Sequence, residues 1–260
     1  MNFCIRLLFT LSVCCLSLTC AKAEPLKWIG SSLPPFVWQE AGEAKGYACD
    51  LIKAMSQKLG RSSDIDFYPW ARAVKMATEM PDYGIFPLAR TSDREDDFLW
   101  LIPIIKVDFV FLRTRDSQSA RYLEGAAKVA ELRHQRIGYL RGSPIVKNLQ
   151  AKAFTRVLEG TDYPELLRML TTGAVDAIYA GRPMIISSIE PSGFRKQDFQ
   201  VVSALGDAKL YIATSKSLPE SEANLWRAAY QILVRDGTVE KLQRKYGLSK
   251  ATESRPVRVR

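Results

Sequence analysis

Apolar positions along this chain follow two periods in turn. Short runs of branched and aromatic residues stand at 25–32 (PLKWIGSS), 64–70 (DIDFYPW), 83–90 (YGIFPLAR), 108–115 (DFVFLRTR), 136–142 (RIGYLRG), 175–181 (VDAIYAG) and 209–215 (KLYIATS), and each predicts a strand. Between them lie stretches with helical spacing. In GYACDLIKAMSQKLG, Tyr47, Leu51, Ile52, Met55 and Leu59 share one face. ARAVKMATEM predicts a second helix, stopped by Pro81. Ser143, followed by Pro144, has the chemistry of an N-cap and a first helical residue. Asp162 and Glu165 form a capping-box pattern that opens the helix DYPELLRML, and Gly173 ends it. ANLWRAAYQILVRDG and TVEKLQRKYG supply two closing helices. Strands alternating with helices predict an α/β fold with parallel sheets covered on both faces.

The first 23 residues stand outside this alternation. Arg6 provides a positive start, Leu7 to Cys20 an apolar run, and Ala21-Lys22-Ala23 an A-x-A cleavage site. This predicts a signal peptide removed after Ala23, because the run is short for a membrane span. Cys20 is the alternative terminus of a lipoprotein, but Thr19 before it is larger than the small residue such sites prefer. Cleavage also removes Cys4, Cys14, Cys15 and Cys20, leaving Cys49 alone. An exported chain with one thiol has no intramolecular disulfide and relies on its core.

Charge narrows the ligand class. The formal charge of +9 falls to about +7 once Arg6 and Lys22 leave, and part of the excess lies in the tail at 249–260. Basic residues elsewhere are mixed with acidic ones, and no basic block is interleaved with aromatics, so nucleic acid is not an expected partner. His134, the single histidine, sits in the polar segment ELRHQR and reads as a surface group. No metal-ligand cluster, phosphate loop or G-x-S-x-G elbow is present, so neither a cofactor nor covalent catalysis is expected. The strongest chemical signal is the pair Arg90 and Arg94, four residues apart behind the buried run YGIF. Guanidinium forks at a strand's carboxyl end make a receptor for a small anion.

The segments LPPFVW, GYACDLIKAM, PWARAV, ARTSDRE, RIGYLRGS, GAVDAIYAG and RDGTVEKLQRKYG occur in this order over about residues 25–248. Together they resemble the bacterial extracellular solute-binding proteins of family 3, the periplasmic receptors of the polar amino-acid type. The resemblance implies a type II periplasmic-binding-protein fold: two α/β lobes joined by two crossing strands, near Ile104 to Asp108 and Gly206 to Leu210. Residues 24–105 and 210–248 would form the first lobe and 106–209 the second. It further implies a monomer in the periplasm that binds a small molecule in the interlobe cleft, without a cofactor, and hands it to an inner-membrane ABC permease.

The resemblance and the residue types together suggest roles for individual positions. Arg94 stands in a T-x-x-R motif with Thr91, Ser92 and Asp93, where the arginine grips the ligand's carboxylate. Arg90 is then a second anion contact or a lobe-bridging ion pair. Trp70, placed at the end of the second strand, is an aromatic platform or a core residue, and Arg72 faces the cleft or solvent. Phe36 and Trp38 wall the cleft or pack in the core. Gly142 and Ser143 offer amides and a hydroxyl to an anion at a helix N-terminus, or cap it. Asp176 braces the second lobe. Five residues later, amino-acid receptors usually carry an acid for the ligand's ammonium; this chain has Gly181, then Arg182. Tyr179 and Arg182 would recognise another polar or anionic group. The expectation is capture of a small polar anion, with a cyclohexadienyl dehydratase-like lyase or a ligand-sensing module as alternatives on the same fold.

Overall fold

The structure, a computed structural model, describes residues 26–115 and 126–248. The expected leader, Cys20 and the basic tail lie outside these residues. In chain order the elements are β1 (Lys27–Gly30), β2 (Trp38–Glu40), β3 (Glu43–Lys45), α1 (Tyr47–Leu59), β4 (Ile65–Phe67), α2 (Trp70–Glu79), β5 (Tyr83–Ala89), β6 (Phe98–Thr114), α3 (Ala126–Leu132), β7 (Ile137–Leu140), α4 (Ile145–Ala151), β8 (Val157–Gly160), α5 (Tyr163–Thr171), β9 (Ala177–Gly181), α6 (Arg182–Ser188), β10 (Phe199–Ser215), α7 (Glu220–Arg235) and α8 (Thr238–Lys245). Eight strands hydrogen-bond in the order β4-β1-β5-β10-β6-β9-β7-β8.

The sheet has two parallel ends and an antiparallel middle. β4, β1 and β5 run parallel in one half, and β8, β7 and β9 in the other. Between them β6 and β10 pair antiparallel along their whole length. Leu210 to Thr214 of β10 lie beside β5, and Phe109 to Leu112 of β6 lie beside β9. Each half is thus completed by one end of a strand that continues into the other. The sheet is mixed, which corrects the expectation of purely parallel sheets.

Pro103 and Gly206, residue types that commonly interrupt strands, both lie inside strands of 17 residues. The pairing shifts register between Leu210 and Tyr211, opposite Ile105 and Pro103, and again between Ala204 and Asp207, where Gly206 has φ +76. Bulges accept a proline without a ladder N–H and a glycine with positive φ. The strands expected at 108–115 and 209–215 are therefore the ends of longer ones.

Helix ends follow local chemistry. Gly46 precedes α1 with φ +124, and a Cβ there would lie 2.3 Å from the Phe36 carbonyl oxygen, so only glycine fits. Gly60 closes the same helix in the left-handed region. Asp162 caps α5 by accepting from the Glu165 amide at 2.7 Å, while the Glu165 carboxylate turns back to the Thr161 amide at 2.6 Å. Met80 is extended with ψ 136, as expected before Pro81, and α2 stops there. Two starts differ from expectation. Trp70 opens α2 behind Pro69 instead of ending a strand, and α4 begins at Ile145 with Pro144, not a Ser143 side chain, at the N-cap. The hairpin β2–β3 and the elements α3, β8 and α6 carried too short a pattern to be anticipated.

Each half has its own aromatic core. Trp28 packs edge-on against Phe86 and Trp226, with ring centroids 6.0 and 5.0 Å apart. In the other half Phe111 stacks between Phe154 and Tyr179 at 5.4 and 4.8 Å. Burying a side chain of this size stabilises by about 1.5–3 kcal/mol. Cys49 is free and buried in α1, where burial pushes its thiol up to about 12, so it acts as a small apolar residue. Among the described residues no helix is long and apolar enough to cross a membrane.

Candidate functional site

β5 delivers its last residue, Ala89, to a cleft between the sheet halves, and the chain then turns. The Arg94 amide donates to the Thr91 carbonyl at 3.0 Å and the Asp97 amide to the Arg94 carbonyl at 3.1 Å. These turns send the Arg94 side chain inward, where it is only 7% exposed. Its Nη2 donates to the Gly142 carbonyl in the opposite half at 2.9 Å. Its Nη1 is buried and has no hydrogen-bond partner in the structure. Burial pulls the guanidinium down to about 10 against the opposing pull of Asp93 and Asp97, so it stays charged at neutral pH. A buried cationic donor left open favours an incoming anion, because a carboxylate supplies the missing acceptor and the countercharge together.

The space in front of Arg94 measures about 410 Å3 including its open mouth. The first half contributes Leu33, Trp70, Pro87, Ala89 and Leu210; the second contributes Phe109, Leu140, Ser143, Pro144, Ile145, Tyr163, Gly181 and Met184. Arg94 is the one cation among these lining residues, and none is a carboxylate, histidine or thiol. The wall is otherwise apolar apart from the hydroxyls of Ser143 and Tyr163 and backbone groups.

Three contacts hold the halves together around this space. One is the Arg94 bond to Gly142. In the second, Lys147 of α4 reaches Asp93 across the cleft at 2.9 Å. Burial pushes the Asp93 carboxyl up, but the Lys147 ion pair and local hydrogen bonds outweigh it and hold it below the ordinary carboxylate value. The third is backbone packing: a Cβ at Gly142, whose φ is +76, would lie 2.9 Å from Ala71 Cα. A glycine is needed there both for its backbone angle and for this approach.

The structure sorts the anticipated residues. Arg94, Trp70 and Ser143 meet at the cleft, and Gly142 joins them through its carbonyl. Thr91 shapes the turn through its own carbonyl and is not among the lining residues. Ser143 makes no cap: Pro144 takes the N-cap position of the 7-residue α4 without a side-chain bond, and Ser143 lines the cleft instead. Arg90 leaves on the other side. Alternation along the strand places Ala89 inward and Arg90 outward. There Arg90 donates to Glu95, with Nε 2.9 Å from Oε2, and lies over Trp100 and Tyr211 at 5.5 and 5.4 Å. It is not among the residues that line the cleft, and its partners all belong to its own half.

Arg72 also faces away, with its guanidinium 4.8 Å above Tyr68, because Trp70, Ala73 and Ala77 form the inward face of α2. Phe36 is fully buried in the first core, and Trp38 meets Tyr246 edge-on; Leu33 from the same loop reaches the cleft instead. Tyr179 stands behind Phe109, donates its hydroxyl to the Leu205 carbonyl, and is pushed up to about 12 by burial. Arg182 pairs with Asp108 on β6, Nε to Oδ2 at 2.7 Å. Asp176 braces Arg136 through its side chain and amide. His134 is exposed, and among the described residues no group of three or more His, Cys, Asp or Glu is placed to hold a metal. The lining residues that sequence reasoning missed, such as Tyr163, Met184 and Ile145, are apolar or aromatic and carry no signal that separates a cleft wall from a core.

Comparison with known proteins places this geometry. The bacterial extracellular solute-binding proteins, family 3, match residues 28–249. No curated protein sequence matches the chain. A solved ABC uptake transporter substrate-binding protein from Streptococcus pneumoniae with bound histidine superposes with a TM-score of 0.75 at 18% identity, over 87% of this chain and 94% of that one. The arginine-, lysine-, histidine-binding protein ArtJ from Geobacillus stearothermophilus gives 0.73 at 14% identity, over 85% and 94%. A histidine kinase sensor domain with similarity to periplasmic binding proteins gives 0.75 at 16% identity, over 85% and 95%. At such identities these structures share the fold. The family match covers most of the chain, which belongs to the bacterial extracellular solute-binding proteins, family 3.

Proposed function

We propose that this family 3 solute-binding protein captures a small carboxylate with an apolar body and presents it, enclosed, to an ABC-type permease. The observation that carries this reading is buried Arg94, which lines an otherwise apolar cleft and leaves Nη1 without a hydrogen-bond partner. The carboxylate would complete Arg94, and Trp70, Phe109 and Ile145 would cover the rest. A zwitterionic amino acid would bring an ammonium for which the lining residues supply no acid, and an unpaired buried charge costs several kcal/mol. Two of the structural relatives named above bind histidine, arginine or lysine, which makes those amino acids the proper competitors.

Each sheet half acts as a lobe and the middle of β6 and β10 as the hinge, with the bulges beside Pro103 and Gly206 taking up the change in backbone angle. The ligand favours the closed form because it contacts both halves only there. The likeness to a kinase sensor domain supports a second reading in which the closed form docks on a receptor. A lyase on this fold would need an acid or base beside Arg94. Asp93, next to Arg94 in the chain, is engaged by Lys147 and does not line the cleft.

A thermal-shift and calorimetric panel tests the ligand class. 3-Phenylpropionate and hexanoate are set against L-phenylalanine, L-norleucine, L-arginine and L-histidine. Stabilisation by the carboxylates and little by the amino acids is expected. Strong stabilisation by an ordinary amino acid alone would overturn the anionic reading.

A further inference from the structure

The end of β9 and the start of α6 hold an arrangement that the anion site does not require. Gly181 and Met184 both line the cleft, and Met184 is buried at 7% exposure. A Cβ at Gly181 would fall 2.3 Å from Met184 Cε, 3.2 Å from its Sδ and 3.7 Å from Phe109 Cε1. The thioether end therefore occupies the volume that any side chain at 181 would need. Local structure explains why. Met184 sits in the first turn of α6, where Cα–Cβ bonds tilt toward the helix N-terminus and carry the side chain back over the preceding residue. Pro183 fixes that first turn without needing an amide partner. Methionine suits the place, since its unbranched, polarizable end fills irregular apolar gaps.

We infer that Met184, seated on Gly181, is the specificity-determining residue of the cleft: its thioether end forms the wall that receives the ligand's apolar body and denies that space to a polar group. This inference rests on the carboxylate reading proposed above. The pair is coupled. Glycine at 181 lets the thioether end of Met184 lie inward, and a larger residue at 181 would push that flexible end off the cleft wall. Removing one partner alone leaves a gap or a clash, and changing both re-specifies the wall.

Matched ligands that differ by a single ammonium test it: 3-phenylpropionate against L-phenylalanine, and hexanoate against L-norleucine. The readout is the ratio of the two affinities in each pair, measured by calorimetry, with circular dichroism as the folding control. Met184→Gln, close in size but polar, should lower affinity for the carboxylates about tenfold, the scale of one apolar group in a hydrophobic pocket, and lower that for the amino acids less, because its amide oxygen offers their ammonium an acceptor. Met184→Leu keeps apolarity and volume and should preserve the ratio; it is the folded reference if the glutamine variant is unstable. The double variant Gly181→Asp with Met184→Ala should shift the ratio toward the amino acids by at least tenfold. Ratios unchanged within about twofold in folded Met184→Gln and in the double variant would overturn the inference while leaving the carboxylate reading intact. A wild-type protein that prefers the amino acids overturns the carboxylate reading, and the change of ratio on substitution then still decides the role of Met184. Failure of wild type to bind either member of both pairs overturns both.

Discussion

Arg90 and Arg94 leave one loop in opposite situations. Arg90 is 39% exposed at its side chain, paired with Glu95 and laid over two aromatic rings. Arg94 is buried, bound on one nitrogen to a carbonyl of the other sheet half and open on the other. The charge is the same and the spacing is one helical turn's worth of residues, yet the backbone here is a strand end and a turn, so the two side chains diverge. A saturated guanidinium in water offers an anion little. A desolvated one with a donor to spare offers a charge-assisted bond in a setting where water competes weakly.

The largest effect should separate these two arginines. Arg94→Ala removes the one cation among the described residues that line the cleft, and losing one partner of a buried charge pair costs about 2–5 kcal/mol, at least thirtyfold in affinity for 3-phenylpropionate. Arg94→Lys should also bind poorly, since a point charge cannot donate to Gly142 and to the ligand with the planar fork's geometry. Arg90→Ala should bind within about twofold of wild type. Titration calorimetry on the three folded variants makes the comparison, and an equal loss in Arg90→Ala and Arg94→Ala would erase the distinction drawn here.

A smaller effect belongs to the pair that crosses the cleft. Lys147→Ala and Asp93→Asn each remove an ion pair that exists only while the halves are together. Exposed pairs contribute about 0.2–1 kcal/mol, which corresponds to at most about fivefold in affinity. The loss should fall on the dissociation rate, because the pair must break before an enclosed ligand can leave. Stopped-flow release of 3-phenylpropionate reads this directly. A double-mutant cycle should give a coupling energy in the same range, and additive single effects would mean that the two side chains act separately.

How much of this was legible in the sequence depends on the kind of residue. The alternation of strands and helices was visible, as were α1 with its flanking glycines and the capping box of α5, because local chemistry and burial pattern agree there. The lengths of β6 and β10 were hidden, since Pro103 and Gly206 act as breakers everywhere except at a bulge, and a bulge is defined by the partner strand. Arg94 was marked by its motif, but the direction of Arg90 depended on where β5 ends, a boundary of one residue. The apolar cleft wall was illegible for a simpler reason. Leu33, Ile145 and Met184 have the composition of a core, and only the position of the opposite half makes them a surface.

The smallest effect concerns pH and sharpens the contrast between a paired carboxylate and its free counterpart. The net lowering of the Asp93 carboxyl below its ordinary value near 3.8 has a clear sign. A carboxyl depressed in the folded protein adds stability that is fully present above its unfolded value, and that stability is lost as pH falls through the folded value. The Lys147–Asp93 pair should therefore contribute equally at pH 5 and pH 8 and fade below about pH 4. Ligand affinity is a poor readout, because the ligand's own carboxylate titrates in the same region. The difference in melting temperature between wild type and Lys147→Ala avoids this, since every other carboxyl is common to both proteins. For a domain of this size the difference should be about 1–3 °C at neutral pH and shrink as pH falls below the ordinary carboxylate value. A difference that persists undiminished at pH 3 would show that Lys147 stabilises through its aliphatic stem rather than through Asp93. A zero difference at every pH would show that the ligand-free protein keeps its halves apart, so that the latch forms only once the ligand at Arg94 has drawn them together.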